Sequence, residues 1–294
     1  MNPRIPRIVP DARTVSDAGT APGLRTAPVH SPAMPTSVGA ARRSMTIVLP
    51  AYNEAKRIGP ALDELFAYLD APAVEGMHPR IDVLVVDDGS TDGTADLVRS
   101  RLEAARTGDG DQATLSVLAV AHAGKGSAVR SGMLAATGDL VVFADADMAT
   151  PPEELPKLTK ALDTADVALG SRIQPDGSDM RATQPRYRRF LVAVFHALAS
   201  IWVVGDVKDT QCGFKGFTHE AAQDLFSQQK VTSIVFDVEI IHLARRRGYT
   251  IAIVPIRWED VRGSRMRPGA ALALKVAWDL FRIPLLHRSV RKRR

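Results

Sequence analysis

The chain has 294 residues, a formal net charge of +5 and one cysteine. This length suits one large α/β domain with a sizeable core. A single cysteine excludes an internal disulfide and a cysteine-based metal cage, and it favours a reducing compartment. The simplest expectation for Cys212 is a buried free thiol.

The positive charge is concentrated at the two ends of the chain. Residues 288–294 contain five Arg and Lys, and residues 1–43 contain six Arg against two Asp, so residues 44–287 carry −4. A nucleic-acid-binding domain has its basic surface on the fold itself, so no nucleic-acid partner is expected. A basic C-terminal tail suits an anionic membrane surface, and a solvated tail is the alternative.

Residues 1–43 are predicted to form a disordered leader. They hold seven prolines, many small polar residues and no apolar run, so they cannot offset the entropy of ordering. They lack the apolar middle of a secretory signal. Translation starting at Met34 or Met45 is an alternative explanation for this segment.

Five short apolar, β-branched runs then alternate with helical segments. The predicted strands are Thr46–Pro50, Ile81–Val86, Leu115–Val120, Leu140–Phe143 and Val167–Leu169. Helices are expected to end near Leu69, to run from about Thr94 to Ala105, to open at Gly124-Lys125-Gly126, and to start at Pro151. Alternating strands and helices predict an α/β fold with a doubly wound, mostly parallel sheet flanked by helices.

Acidic residues follow several of these strands, namely Glu54, Asp88, Asp145 and Asp147. Ligands bind outside the carboxyl ends of the strands in open α/β sheets. Two carboxylates one residue apart, at 145 and 147, suit Mg²⁺ or Mn²⁺ on substrate phosphates. A single acidic turn can be merely solvated, but several at one edge favour a site for a phosphorylated ligand and its cation.

Six motifs together resemble the series found in inverting family 2 glycosyltransferases with the GT-A fold. They are Pro50-Ala51-Tyr52-Asn53-Glu54, Val86-Asp87-Asp88-Gly89-Ser90-Thr91-Asp92, Gly124-Lys125-Gly126, Asp145-Ala146-Asp147, Gly170-Ser171-Arg172 and Asp209-Thr210-Gln211-Cys212-Gly213-Phe214-Lys215. The match covers about residues 44–266 in the right order. The dolichyl- or polyprenyl-phosphate β-glucosyltransferases are the most similar subgroup.

The resemblance implies a nucleotide-sugar site and assigns its residues. Those expected in the site are Pro50, Tyr52, Glu54, Val86, Asp88, Lys125, Asp145 and Ala146. Asp88 would accept a hydrogen bond from the uracil N3–H, and Val86 would contribute backbone contacts. Asp145 and Asp147 would hold Mg²⁺ or Mn²⁺ on the diphosphate. The structural alternatives are a helix cap at Glu54, a turn at Asp88 and an exposed lysine at 125.

The donor sugar is inferred from departures from related polyprenyl-phosphate mannose synthases. Those enzymes tend to have Gln where this chain has Ala149, and a Thr-Ser-Gly-Phe-Arg motif where it has Thr210 to Lys215. By family analogy, both differences favour UDP-glucose over GDP-mannose.

A phosphate acceptor changes which catalytic groups are needed. A phosphate monoester is mostly dianionic at pH 7 because its second pKa is about 6, so it needs no general base. Arginines should gather it, and the candidates are Arg172, Arg188, Arg189 and Arg265. Asp209 resembles the family's acidic residue near the acceptor and would orient Lys215 or an arginine. Asp209, Arg172 and Lys215 are therefore the predicted catalytic group.

Two segments are candidates for membrane contact. Residues 190–205 carry no charge unless His196 is protonated, but they are too few to span a bilayer comfortably. A buried core helix, an interfacial helix and a re-entrant segment are the alternatives for them. After a catalytic domain at 44–268, residues 269–294 are expected to form an amphipathic helix and a basic tail. Its apolar stripe contains Leu272, Val276, Leu280 and Ile283.

The sequence therefore predicts metal-dependent, inverting transfer of glucose from UDP-glucose to a polyprenyl phosphate. The enzyme is expected to attach peripherally to the cytoplasmic face of a membrane, without a transmembrane helix, and a homo-oligomer is left open. A soluble acceptor and a GDP-mannose donor are alternatives. A nucleotidyltransferase would need a glycine-rich phosphate loop with Arg and Lys, which Pro50 to Glu54 does not resemble. Intact Asp145 and Asp147 argue against an inactive scaffold.

Overall fold

The computed structural model describes residues 43–71, 80–105, 113–180, 207–259 and 270–293. Residues 1–42 of the predicted leader therefore lie outside the described residues. So do the uncharged segment 190–205 and three of the predicted acceptor arginines, Arg188, Arg189 and Arg265.

A seven-stranded sheet forms the centre of the described part of the chain. Its strands are β1 (Met45–Ala51), β2 (Ile81–Asp87), β3 (Ala113–Ala119), β4 (Leu140–Ala144), β5 (Val167–Ser171), β6 (Phe214–Thr218) and β7 (Ile251–Pro255). Their order is β3-β2-β1-β4-β6-β5-β7. Neighbouring strands pair in parallel except at β6, which is antiparallel to both β4 and β5. The predicted mostly parallel sheet is confirmed, with β6 inserted between β4 and β5 and β7 added at the edge next to β5.

Helices connect the strands and cover both faces of the sheet. They are α1 (Ile58–Leu69), α2 (Thr94–Ala105), α3 (Lys125–Ala135), α4 (Leu155–Ala161), α5 (His219–Gln228), α6 (Phe236–Arg247) and α7 (Ala270–Leu286), and a 3-10 turn at Pro152–Glu154 leads into α4. Alternate strand residues face two separate clusters. Val48 and Phe143 pack towards α3 and α6, whereas Ile47 and Val85 pack towards α1. Burial on both faces explains the continuous apolar runs.

Strand β6 lies between β4 and β5 and carries the motif at 209–215 to the middle of the sheet. Phe214 pairs with Ala144 at the carboxyl end of β4, and Thr218 pairs with Leu140 at its other end. Cys212, just before β6, is a buried free thiol as predicted, and burial raises its pKa to about 12. The antiparallel strand therefore delivers residues 209–213 to the edge where Asp145 lies.

The predicted C-terminal helix is present as α7, and its predicted apolar stripe faces the protein from Val276 to Ile283. Leu280 and Ile283 are buried in the core, and Val276 packs against it. The tail then folds back over α6. Arg293 donates its backbone N–H to the Arg247 carbonyl at 3.0 Å, and its guanidinium lies 4.2 Å from the Tyr249 ring centroid. None of the helices described has the length and apolar character needed to cross a bilayer.

Candidate active site

A pocket opens at the carboxyl ends of β1, β2 and β4, and it contains most of the predicted donor-binding residues. Its lining comprises Pro50, Ala51, Tyr52, Glu54, Arg57, Asp88, His122, Gly124, Lys125, Ala128, Asp145, Ala146 and Asp147. Val86 is the one predicted nucleotide-sugar residue that does not line it, because its side chain is buried in the core. Residues distant in sequence thus converge at the predicted edge of the sheet.

The loops after β1 and β2 are locked together by their polar residues. Asn53, with a positive φ of 54°, accepts a hydrogen bond from the Thr91 N–H at 2.8 Å. Its own N–H donates to Ser90 Oγ at 2.8 Å, and the Glu54 N–H donates to Thr94 Oγ1 at 2.8 Å. Asn tolerates this left-handed backbone better than most residues. Hydrogen bonds between polar residues of the two motifs therefore fix the relative position of the two loops that line the pocket.

Asp88 is buried at the base of the pocket and holds the turn before α3. Its Oδ1 accepts from the Ala123 N–H at 3.0 Å, and its Oδ2 accepts from the Gly124 N–H at 3.1 Å. Gly124 has a φ of 104°, a backbone conformation that favours glycine. Because a carboxylate offers about four acceptor positions, Asp88 can hold this turn and still accept another hydrogen bond.

An aromatic pair stands beside Asp88. The rings of Tyr52 and His122 are stacked with their centroids 4.1 Å apart and 18° between their planes. His122 Nδ1 lies 2.9 Å from Asp88 Oδ2, which fixes the imidazole against the carboxylate. Tyr52 was predicted from its motif, but His122 stood in no motif, so the sequence did not single it out.

Asp145 and Asp147 line the same pocket, as predicted. Asp145 Oδ1 lies 2.5 Å from Lys125 Nζ. Burial, and then the negative charge of Asp145, raise the pKa of Asp147. Two adjacent hard oxygen ligands in such a place fit a divalent cation. Among the residues that the structure describes, no three or more His, Cys, Asp or Glu side chains are grouped so that they could hold a metal ion.

Arg57 adds a cation to the pocket that the sequence analysis did not identify. Its Nε and Nη2 donate to Glu54 Oε2 and Oε1 at 2.6 and 2.5 Å, so the pair is bidentate. Its Nη1 lies 3.8 Å from Asp147 Oδ2. The hydrogen bonds to Glu54, partly opposed by burial, raise the pKa of Arg57. Glu54 therefore orients an arginine towards the paired carboxylates.

Gly213 brings the motif before β6 directly against Asp145. The Asp145 N–H donates to the Gly213 carbonyl at 3.0 Å. A Cβ at position 213 would lie 2.0 Å from Asp145 Oδ2. A glycine is therefore needed at this close approach, since any side chain would displace the carboxylate.

Arg172 and Asp209 form a tight pair on the other side of this motif. Arg172 Nε and Nη2 donate to the two Asp209 oxygens at 2.9 and 2.7 Å, and the Arg172 N–H adds a third bond at 2.8 Å. The guanidinium also lies 5.5 Å from the Trp258 ring centroid. Burial opposes the charge of Arg172, but the hydrogen bonds and charge of Asp209 raise its pKa overall. Asp209 thus orients an arginine, one of its two predicted partners.

Lys215 is the third member of the predicted catalytic group and, like Arg172 and Asp209, it is not among the residues that line the pocket. Its Nζ lies 2.6 Å from Asp237 Oδ1 and donates to the Cys212 carbonyl at 2.5 Å. The lysine side chain is 1% exposed and that of Asp237 is 6% exposed. The structure therefore places Lys215 behind the site, beneath the motif that carries Cys212 and Gly213.

The comparisons with known proteins agree with this architecture. The family model described as glycosyl transferase family 2 matches residues 46–226. The dolichyl-phosphate beta-glucosyltransferase ALG5C of Trichomonas vaginalis is 39% identical over 251 residues, which cover 83% of this chain and 72% of that protein. The dolichyl-phosphate beta-glucosyltransferase of Homo sapiens is 33% identical over 233 residues, covering 77% and 70%.

Solved structures share the fold at lower sequence identity. Glucosyl-3-phosphoglycerate synthase from Mycobacterium tuberculosis, in complex with Mn²⁺, UDP and glucosyl-3-phosphoglycerate, has a TM-score of 0.55 at 21% identity and covers 85% of this chain and 81% of its own. Mannosyl-3-phosphoglycerate synthase from Rubrobacter xylanophilus has a TM-score of 0.53 at 18% identity, covering 84% and 74%. The GT-A fold expected from the motifs is confirmed. The chain is a glycosyltransferase and belongs to glycosyl transferase family 2.

Proposed function

We propose that the protein transfers glucose from UDP-glucose to a polyprenyl phosphate, with inversion at the anomeric carbon. The observation that carries this proposal is the convergence of Asp88, Lys125, Asp145 and Asp147 in one pocket at the carboxyl edge of the sheet. The relatives named dolichyl-phosphate beta-glucosyltransferase, at 31–39% identity, support both the sugar and the lipid phosphate.

The donor would lie across the pocket with its base against Tyr52 and His122. A nucleobase can stack on such aromatic surfaces, and Asp88 beside them has capacity to accept from uracil N3–H. The diphosphate would then reach Lys125 and Arg57, which are the cations among the pocket-lining residues. Both cations are paired with carboxylates in the structure, at 2.5 Å in each case, so a bound diphosphate would exchange one anionic partner for another.

Asp145 and Asp147 would hold Mg²⁺ or Mn²⁺. When bound, such a cation neutralises the developing charge on the leaving diphosphate. The two carboxylates supply only part of a ligand shell, so phosphate oxygens and water would supply the rest. The fold contributes to metal binding by keeping both carboxylates just beyond the carboxyl end of β4, where Gly213 leaves room for the Asp145 side chain.

The acceptor phosphate would be oriented by Arg172. A planar guanidinium held at both ends by Asp209 presents its remaining N–H groups in a fixed direction. The acceptor is already mostly dianionic at neutral pH, so its oxygen can attack without losing a proton to the enzyme. Asp209 is therefore proposed as an orienting residue rather than as a base. Attack opposite the diphosphate of an α-linked donor gives a β-linked product.

A polyprenyl phosphate acceptor resides in a membrane, so the enzyme is also proposed to work at a membrane surface, on the cytoplasmic face. Arg188, Arg189 and Arg265 remain proposed contacts to the acceptor phosphate. They lie outside the described residues, so their role depends on experiment.

The direct test is a transfer assay. Purified protein is incubated with radiolabelled UDP-glucose, a short polyprenyl phosphate and Mg²⁺ or Mn²⁺, and the label extracted into the organic phase is counted. Asp147→Ala should abolish transfer, whereas the matched control Asp96→Ala, an exposed carboxylate on α2, should leave it unchanged. Transfer that persists in Asp147→Ala or without a divalent cation contradicts the proposed metal site. GDP-mannose used in preference to UDP-glucose contradicts the proposed donor.

A second candidate keeps the donor but uses a soluble phosphorylated acceptor. The feature that favours it is the Arg172–Asp209 pair, which is suited to a phosphate whether or not a lipid is attached. Release of UDP with 3-phosphoglycerate, and no label in lipid, would establish this candidate and exclude the lipid acceptor.

A further inference from the structure

Helix α7 has two apolar stripes, and one of them is exposed. Leu280 and Ile283 of the predicted stripe are buried in the core. On the outside of the helix Trp278 is 61% exposed, Phe281 52% and Leu285 56%. These three residues are spaced i, i+3 and i+7, which places them on one face of an α-helix. We call them the outer stripe.

Five exposed large hydrophobic side chains are found among the described residues: the outer stripe, Tyr52 in the pocket and Ile253 on β7. Three of the five therefore share one helix face. Isolated exposed apolar residues are ordinary on protein surfaces, whereas a contiguous group indicates a contact surface. The Trp278 and Phe281 rings also stack on each other, with their centroids 6.4 Å apart.

Cations flank the outer stripe. Lys275 is exposed about one turn before Trp278, Arg282 is 37% exposed in its side chain while paired with Asp279, and Arg288 is exposed just beyond the end of the helix. At 100° per residue, Lys275 and Arg282 fall on the same side of the outer stripe, and Arg288 follows the end of the helix at Leu286. Large aromatic side chains bordered by Lys and Arg match the chemistry of an anionic lipid surface, where rings enter the headgroup boundary and cations meet phosphates.

We infer that the outer stripe of α7, rather than the stripe expected from the sequence, docks the protein on an anionic lipid bilayer. The inference deepens the proposed function, since it names the surface that meets the membrane holding the acceptor. A protein partner would not require a group of cations next to the aromatic pair, and the tail that follows adds exposed Arg291 and Lys292.

The same helix is joined to the donor pocket by a short chain of hydrogen bonds. Ser233 Oγ donates to Asp279 Oδ2 on α7 at 2.7 Å, and the neighbouring Thr232 carbonyl accepts from the Gly126 N–H at 2.9 Å. Gly126 follows Lys125 in the pocket. A lipid surface against the outer stripe would therefore lie next to the element that supports the donor site.

The test is flotation of the full chain with lipid vesicles. Wild-type protein should float with phosphatidylcholine vesicles containing phosphatidylglycerol, and binding should fall with salt and with neutral vesicles. Trp278→Ser/Phe281→Ser should lower the partition coefficient by about tenfold or more, because two large apolar side chains no longer enter the lipid. Ile253→Ser is the matched control, since Ile253 is 50% exposed but lies on β7; it should float like wild type. Thermal melting of all variants checks that they are folded.

Three results would overturn the inference. The double variant could float as well as wild type, which would assign binding to another segment such as 190–205. The Ile253→Ser control could lose as much binding as the double variant. Alternatively, light scattering without lipid could show a wild-type dimer that the double variant dissociates, which would assign the outer stripe to a second copy. Flotation needs no turnover, so failure of glucosyl transfer would not be mistaken for any of these results.

A transfer assay separates docking from catalysis. With acceptor in vesicles, the double variant should have a kcat/KM about tenfold lower than wild type. With acceptor dispersed in detergent, the two should be equal, because the outer stripe contributes nothing to the pocket. Equal losses in both assays would contradict a docking role.

Discussion

Two lysine–aspartate pairs lie near the carboxyl end of β4 and differ mainly in their access to solvent. Lys125 and Asp145 are 2.5 Å apart in the pocket, and their side chains are 35% and 36% exposed. Lys215 and Asp237 are 2.6 Å apart behind it, and their side chains are 1% and 6% exposed. Both lysines belong to motifs that the sequence singled out, and both form ion pairs of nearly equal length.

Exposure decides what each pair can do. A partly exposed ion pair can exchange partners. Lys125 could therefore leave Asp145 to bind a phosphate, and Asp145 could then bind a cation. A buried pair has no such freedom, because removing either partner leaves an uncompensated charge away from water. Burial raises the pKa of Asp237, and Lys215 opposes that effect. A lysine in a motif that resembles a family's is therefore evidence for a site only when its ammonium group can reach the ligand.

The largest expected effect comes from breaking the buried pair. Lys215→Met should lower the free energy of unfolding by about 3–5 kcal/mol, because Asp237 is left buried without its cation. Chemical denaturation measures this loss. Lys215→Met/Asp237→Leu should recover most of it, since both charges are then gone. A single variant as stable as wild type would contradict the conclusion that the buried Lys215–Asp237 pair stabilises the fold.

Breaking the proposed metal site should affect catalysis and leave the fold intact. Asp147→Asn should lower kcat/KM by about 10²–10³-fold, an effect of the size seen when one preorganised electrostatic group is removed. Because the pKa of Asp147 is raised, ionising this carboxyl costs free energy in the folded protein. This cost is full above the raised pKa and disappears below the pKa that Asp147 has in the unfolded chain. Without metal, Asp147→Asn should therefore melt no lower than wild type at neutral pH. A lower melting temperature would contradict this assignment.

Lys125→Met tests the partly exposed Lys125–Asp145 pair directly. It should raise the KM for the donor by about 10–100-fold, because a charge-assisted hydrogen bond to phosphate is lost. Its free energy of unfolding should change far less than that of Lys215→Met, since Asp145 can be solvated. Nucleotide titration and denaturation of the two lysine variants provide the comparison. A stability loss equal to that of Lys215→Met would remove the distinction between the pairs.

The smallest effect is expected in the C-terminal tail, where the ion pairs of Arg293 are partly exposed. Arg293→Ala removes long contacts to Asp166 and Glu220, at 3.4 and 3.1 Å, together with the stacking on Tyr249. Pairs of this kind contribute about 0.2–1 kcal/mol. Thermal melting should therefore fall by only a few degrees, with transfer activity unchanged. A loss of activity would mean that the tail contributes to the site and not only to the surface of α6.

The sequence predicted the first five strands and most of the residues that meet in the pocket, because both depend on local patterns. An apolar run ending in a carboxylate, as at Leu140 to Asp145, specifies a buried strand and its functional end together. Strand β6 was not predicted, because Lys215 and Gly216 in a central strand contradict strand preferences. Its stability depends on Asp237, 22 residues away, and no local pattern reveals that partner.

Other features were missed for the same reason. Arg57 and His122 belong to no motif and become pocket residues only through contacts with Glu54 and Asp88. In α7 both stripes are apolar, so the sequence could identify an amphipathic helix but not which stripe packs on the core. That choice depends on what α6 presents to it, and the structure shows Leu280 and Ile283 on the inner side.

The position of β6 also has a consequence for the order in which the molecule is made. Ala144 pairs with Phe214 and Leu140 with Thr218, so the centre of the sheet joins residues separated by about 70 positions. At about 5–20 residues per second, the ribosome needs several seconds to synthesise that interval. During this time β4 has β1 on one side and an open edge on the other. Asp145 gains its Gly213 contact only when β6 closes that edge, so the donor pocket is completed late in synthesis.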